Sequence, residues 1–182
     1  MGLREHNPRG IGGRIKLLRQ NVAKSIRDPE ISRHLALAVS RACPWRDDRC
    51  ELEAIWYFMH RNIRYTGDIS GYDTFQTARR TLQYRGGDCD DGAILIATLA
   101  LGNGFPAKLR ITKNAALGSW SHIYPLVGVP RVPGPNMWIP LDWTLGHVHF
   151  AAHPPQAGFV EFDGRQVSDY NVPIPPEGYL GW

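Results

Sequence analysis

Apolar positions recur along the first third of the chain at the interval of a helix. Ile11, Ile15, Leu18, Val22 and Ile26 fall three or four residues apart, while Arg14, Arg19, Lys24 and Arg27 make a polar face. The spacing predicts a first helix over about residues 11–26. Asp28-Pro29-Glu30 reads as the next helix start, with Asp28 capping and Pro29 in the first position. Ile31, Leu35, Val39 and Ala42 continue one face until Pro44 closes it. A third helix, capped by Asp47 or Asp48, carries the cleanest stripe: Leu52, Ile55, Trp56, Met59 and Ile63. His60 lies beside that stripe, where a structural role is expected. Arg61 to Tyr65 then runs into a loop holding Gly67, Asp68, Gly71 and Asp73, and a short helix is expected near Thr74–Leu82.

The period changes past the middle of the chain. The run from Ala93 to Leu101 is apolar throughout and ends at Gly102 and Gly104, long enough for a buried helix and too short to span a membrane. Beyond it the alternation is that of strands. Ala107, Leu109 and Ile111 interleave with Lys108, Arg110 and Thr112. After a turn at Asn114–Gly118, Trp120, His122, Tyr124 and Leu126 alternate with Ser121, Ile123, Pro125 and Val127. Pro125 predicts an edge or a bulge, because proline cannot donate to a ladder. Met137–Asp142 and Phe159–Phe162 read as two further strands. Helices first and strands second make an α+β domain, with one central helix packed on an antiparallel sheet. The organisation expected is a basic arm at residues 1–12, a single domain at 13–170 and a Pro/Gly-rich tail at 171–182.

The junction before the central helix reads Arg85-Gly86-Gly87-Asp88-Cys89-Asp90-Asp91-Gly92. The two glycines permit a sharp turn, and Cys89 then sits at or just inside a helix N-terminus. Unpaired N–H groups there favour negative charge, so the thiol pKa is expected to fall. Asp88, Asp90 and Asp91 oppose that fall.

Composition narrows the picture. The chain has 182 residues, 43% of them hydrophobic, which suits one domain with a real core. The formal charge is +4 and uneven: residues 1–90 hold 16 Lys and Arg against 11 Asp and Glu. No basic run or aromatic ladder accompanies that excess, which argues against nucleic-acid binding. No signal peptide and no membrane span are read, so synthesis in the cytoplasm is expected. Three cysteines do not suggest a disulfide scaffold; Cys43 and Cys50 could approach across a turn, but two structural thiols in a reduced compartment are expected. His147, His149 and His153 form a cluster without a convincing fourth ligand. No metal and no other cofactor is expected.

A cysteine nucleophile needs a base, and the base needs an orienting group. His122 lies in one strand and Asp142 at the end of the next, so antiparallel pairing can bring them together. The phrases carrying these residues are Tyr84-Arg85-Gly86-Gly87-Asp88-Cys89-Asp90-Asp91-Gly92-Ala93, Gly104-Phe105-Pro106-Ala107-Lys108, Trp120-Ser121-His122-Ile123-Tyr124 and Trp138-Ile139-Pro140-Leu141-Asp142. Their order resembles the transglutaminase-like superfamily of papain-type cysteine enzymes, over about residues 45–145. Asn62-Ile63-Arg64-Tyr65 is similar to the phrase that closes that family's leading helices. The resemblance implies Cys89 as nucleophile, His122 as base and Asp142 as orienting acid. It implies amide acyl transfer through a thioester, by a peptidase, an amidase or a crosslinking transamidase. Gln83, Tyr84 and Gln76 are candidates for the side chain that joins the Cys89 N–H in binding the oxyanion. The resemblance also extends to small members among bacteriophage and prophage structural genes. It thereby implies incorporation in a virion, phage structural proteins as partners, and a non-catalytic assembly role as the alternative. Substrates implied are peptides or proteins, with cell-wall peptide second.

Overall fold

The computed structural model describes residues 10–41, 43–68, 74–113, 119–144, 150–154 and 158–163. Its architecture is α+β: helices come first, and a small antiparallel sheet packs on the helix that starts at Cys89.

Helix α1, Gly10–Ile26, buries Ile15, Leu18 and Val22, three of the positions its periodicity singled out. It begins inside the stretch assigned to the arm; residues 1–9 and the tail at 171–182 lie outside the described residues. Asp28 opens the next segment, its Oδ1 accepting the Glu30 N–H at 3.2 Å. A wide π-helical turn, Glu30–Leu35, then leads into the short α2, Ala36–Ser40. Helix α3, Asp48–Asn62, is capped by Asp47, whose carboxylate accepts the Cys50 N–H. It buries Leu52, Ile55 and Met59.

The cysteines between α2 and α3 correct the expectation of two structural thiols. Cys43 and Cys50 are joined in a disulfide, with their Cα atoms 5.7 Å apart. The turn at Pro44–Arg46 folds Cys43 back onto the first turn of α3, within bridging range. Persistent disulfides belong to oxidising surroundings, so the expected reduced compartment loses its basis.

The segment after α3 also differs from the expected loop. Arg64–Tyr65 (β1) pairs in parallel with Gly86–Gly87 (β2), Tyr65 opposite Gly87. Helix α4, Ala78–Tyr84, lies between them. The sharp turn out of α4 is made by Arg85, in the left-handed region at φ 51°, rather than by the glycines. Gly87 is required for space: a Cβ there would stand 2.6 Å from the Asp91 Cβ. Gly71 and Asp73 lie outside the described residues.

Helix α5, Cys89–Gly102, is buried from Asp90 through Leu101. It is wrapped by α1, the π-helical turn, α3 and α4 on one side and by the sheet on the other. This accounts for an apolar run with no polar face. The sheet runs β5-β4-β3-β6, with β3 Ala107–Lys113, β4 Trp120–Val129, β5 Met137–Pro140 and β6 Gly158–Asp163, each pair antiparallel. Leu109, Ile111, Ile123, Val127, Val160 and Phe162 belong to the core that α5 fills. Pro125 sits in an interior strand, and the ladder irregularity falls at Thr112/Lys113 instead. The proline is tolerated because pairing with β5 covers only Leu126–Val129. Its missing N–H therefore falls where that ladder stops. Asn114–Gly118, the expected turn between β3 and β4, is outside the described residues.

Candidate active site

The site is built around the first turn of α5. Asp88 is its N-cap, with Oδ1 accepting the backbone N–H of Asp90 at 2.9 Å and of Asp91 at 3.1 Å. Asp91 closes a capping box by accepting the Asp88 N–H. It also receives the Gln76 backbone N–H at 2.7 Å and the Gln76 side-chain amide. Cys89 is the first helical residue, as the glycine and aspartate pattern predicted.

Its electrostatics overturn the expected fall in pKa. Burial pushes the Cys89 thiol well above its ordinary value, and the carboxylates of Asp90 and Asp88 push it further. A hydrogen bond from the Ile123 backbone and the charge of Arg14 pull it down without prevailing. The resting sulfur is therefore a thiol. It donates weakly to Asp90 Oδ1, at 4.0 Å. The carboxylates respond to the same burial: Asp88 is pushed up to about 9 and Asp91 to about 6, each chiefly by loss of hydration. The helix terminus favours an anion by a kcal/mol or so. Placing several acidic groups at one buried turn costs more, and burial decides the sign.

His122 and Asp142 meet. The His122 Nε2 lies 2.6 Å from Asp142 Oδ2. The Asp142 side chain is 0% exposed. Its Oδ1 accepts from the Thr144 N–H at 3.0 Å and hydroxyl at 2.8 Å, and its carbonyl accepts from Trp56 Nε1 at 3.0 Å. Asp142 stands two residues past the end of β5, rather than within the strand as expected. The next residue, Trp143, lies against the first turn of α5. A Cβ on Gly92 would come 1.7 Å from Trp143 Nε1, so only glycine lets this loop reach the helix. The His60 ring lies tilted against that of Trp56, with centroids 4.0 Å apart, next to the same loop. Burial lowers its pKa against the upward pull of Asp142.

The sulfur and the imidazole come to the same point of β4 without joining. Cys89 receives the backbone hydrogen bond of Ile123, the residue after His122. The His122 ring stacks on that of Tyr124, two residues along the strand, with centroids 5.8 Å apart. No hydrogen bond links Cys89 to His122 among the described residues. Since Nε2 is engaged by Asp142, Nδ1 is the ring nitrogen left for a proton transfer.

The oxyanion candidates separate. Both amide donors of Gln76, backbone and side chain, are turned to Asp91. Gln83 and Tyr84 are exposed at the end of α4, where the Tyr84 hydroxyl accepts from Arg80. Two residues that sequence reasoning gave no role do reach the site. Tyr65 is 53% exposed. Its ring lies 6.1 Å from that of Trp143. Burial first, and then the charges of Cys89, Asp88 and Asp90, push its phenol upward. It belongs to the Asn62–Tyr65 phrase, which was the available signal. Arg14, on α1, makes an ion pair with Asp90 at 3.8 Å and donates to the Trp120 carbonyl at 3.2 Å; nothing local marks it. Trp120 and Trp138, from the phrases that carry His122 and Asp142, are half-buried, with Lys108 Nζ 4.1 Å from the Trp138 ring centroid.

Of the histidine cluster, His147 and His149 lie outside the described residues. His153 Nδ1 is 3.0 Å from the Tyr124 hydroxyl and 3.3 Å from Arg110. No group of three or more metal-ligating side chains occurs among the described residues. No helix among them is long and apolar enough to cross a membrane.

Comparison with known proteins agrees with this architecture. A family model described as the transglutaminase-like superfamily matches residues 36–143. No curated protein matches the sequence. Among solved structures, a candidate cysteine protease from Cytophaga hutchinsonii is similar, with a TM-score of 0.52 and 21% identity over 70% of this chain. A candidate protease from Parabacteroides distasonis ATCC 8503 has a TM-score of 0.52 and 11% identity over 82% of this chain. The match spans 42% of the first structure's length and 29% of the second's. At these identities the likeness is one of fold.

Proposed function

The chain belongs to the transglutaminase-like superfamily, and on that premise we propose that it transfers acyl groups from amide bonds, as a peptidase or amidase that uses Cys89, His122 and Asp142. The observation that carries the reading is the buried, doubly braced Asp142 on His122 Nε2, beside a cysteine that opens a core helix. A carboxylate so held keeps the imidazole in one orientation.

The chemistry follows from the protonation states. Cys89 rests as a thiol, so it must lose its proton as it attacks. In the first step the sulfur forms a bond to the amide carbonyl carbon while His122 Nδ1 accepts the thiol proton. The tetrahedral intermediate collapses, the C–N bond breaks, and the amine leaves with the proton from His122. The acyl group is then a thioester on Cys89. Water attacks it, His122 accepts a proton from the water, and the acid leaves as the thiol is restored. An amine in place of water would give transamidation. The Cys89 N–H is the backbone donor available for the oxyanion, and the Tyr65 hydroxyl joins Gln83, Tyr84 and Gln76 as a side-chain candidate. Extended peptides are the proposed substrate class, cell-wall stem peptides included.

A second reading, a binding or assembly protein that keeps the fold, is favoured by two features. The thiol is raised, and it forms no hydrogen bond with His122. A bacteriophage particle is the setting proposed for it from sequence phrases alone. The test is intact-mass analysis of the protein after incubation with a peptide library and with peptidoglycan stem peptides, for wild type and Cys89→Ala. An acyl adduct and cleaved or amine-coupled product, absent in Cys89→Ala, support acyl transfer; the product distinguishes hydrolase from transferase. Product formed equally by Cys89→Ala removes the assigned nucleophile, and no product with any substrate favours the binding reading.

A further inference from the structure

Helix α1 ends ten residues before the stretch matched by the superfamily model, which begins at residue 36. Its Arg14 nevertheless reaches the middle of the site. We propose that Arg14 is a positioning residue, tying the strand that carries His122 to the helix that carries Cys89; its relevance to catalysis rests on the acyl-transfer reading.

The geometry is that of a clamp. One guanidinium nitrogen donates to the carbonyl of Trp120, two residues before His122, at 3.2 Å. Another stands 3.8 Å from Asp90 Oδ2, on the residue after Cys89. Asp90 has its other oxygen toward the Cys89 thiol, at 4.0 Å. One side chain therefore touches both halves of the site, and through Asp90 it faces the sulfur. The Trp120 end of β4 needs such a tie. Pairing with β5 begins only at Leu126, and the pairing with β3 shifts register between Thr112 and Lys113, opposite His122 and Trp120. A strand end with one irregular neighbour frays unless something holds it. Arginine suits the task, since its planar fork can serve a carbonyl and a carboxylate at once, which a lysine ammonium on a single point cannot do with the same geometry.

The second consequence is electrostatic. Cys89 is faced by Asp88 and Asp90 from its own helix, by Tyr65 from β1, by the Ile123 backbone beside His122 from β4, and by Arg14 from α1. Among the described residues, Arg14 is a cation that acts on the thiol. Its guanidinium offsets Asp90 and favours the thiolate that attacks. Clamp and charge can be separated, because lysine keeps the charge and loses the fork.

The experiment uses full-length wild type, Arg14→Met and Arg14→Lys. Iodoacetamide alkylation of Cys89 is followed by intact mass across pH 6–10, and hydrogen exchange is read at the Trp120–Ile123 amides. For Arg14→Met the expected result is alkylation slowed about tenfold at pH 8, with the profile displaced to higher pH. Exchange at Trp120–Ile123 should be faster, with Leu126–Val129 unchanged. Arg14→Lys should follow the wild-type alkylation profile while its Trp120–Ile123 amides still exchange fast. An Arg14→Met profile superimposed on wild type, or unchanged exchange in both variants, overturns the proposal. If Arg14→Met does not fold, Arg14→Lys decides: wild-type exchange overturns the clamp, and fast local exchange with an intact profile upholds it. Alkylation consumes no peptide, so a wild type inert toward every amide would sink acyl transfer without touching this measurement.

Discussion

The two ends of α5 lie at the same depth and obey different rules. From Ala93 to Leu101 the helix is apolar and surrounded on all sides, and its burial stabilises the fold by removing hydrocarbon from water. One turn earlier the same helix buries Asp88, Asp90 and Asp91 beside a thiol. There burial works against the charges: Asp88 is driven far above the ordinary carboxylate range, Asp91 more modestly, and the thiol is raised with them. Depth alone therefore does not say whether a segment contributes stability. The body of the helix holds the domain together; the first turn is held by it, at a cost the body offsets.

The contrast can be broken most severely at the first turn by chemistry. With a cleavable peptide in hand, Cys89→Ala should abolish product, and His122→Ala should lower turnover by about 10²- to 10⁴-fold. Circular dichroism should stay native-like in both variants; the urea midpoint should move little for Cys89→Ala, which deletes one sulfur, and should fall for His122→Ala, which leaves the buried Asp142 carboxylate without its partner. In the body the same comparison runs the other way. Leu99→Ala, at a fully buried position, should cost about 2–5 kcal/mol in urea unfolding. Alkylation of Cys89 in the folded fraction should change little. A Leu99→Ala variant as stable as wild type would remove the distinction between the two ends.

A subtler test uses pH. Asp88 has a folded pKa of about 9, above that of the unfolded chain near 4. Between those values the folded state binds the extra proton, so this residue's contribution to stability is present at acid pH and is lost as pH rises. Urea midpoints should therefore fall from pH 5 to pH 9. Asp88→Asn, which keeps a side-chain oxygen for the cap, should flatten that fall. An equally steep decline in the variant would place the effect elsewhere. The smallest expected effect concerns rate at neutral pH. Iodoacetamide should modify Cys89 slowly at pH 7 and progressively faster toward pH 10. Rapid labelling at pH 7 would mean that the first turn stabilises the thiolate after all.

What the sequence made legible follows the range of the interactions involved. The stripe of α3, the Asp47 cap and the start of α5 at Cys89 depend on neighbours within one turn, and periodicity with capping rules found them. The approach of His122 to Asp142 was legible as well, because strand alternation and a resemblance to known phrases both pointed to it. The remainder needed contacts that no local pattern announces. Arg85, not the glycines, takes the left-handed turn, and Gly87 and Gly92 are needed for close approaches to Asp91 and Trp143. The direction of the Cys89 shift required knowing how deeply the thiol lies. Helix-end position alone suggested the opposite. The Cys43–Cys50 bridge depended on a turn that brings two ends together, and Arg14 acts across 106 residues of chain.

The disulfide has a practical corollary. Three cysteines are present, and two are joined. A thiol-directed dye, spin label or crosslinker thus finds a single addressable atom, on the residue of greatest interest. The reductant commonly added to keep such a sulfur free would open the other pair. That pair pins the start of α3, where Asp48 and Glu51 hold Arg131. Handling buffers therefore select which protein is assayed: one with its α3 staple intact, or one with three thiols and a looser grip on the loop that carries Arg131.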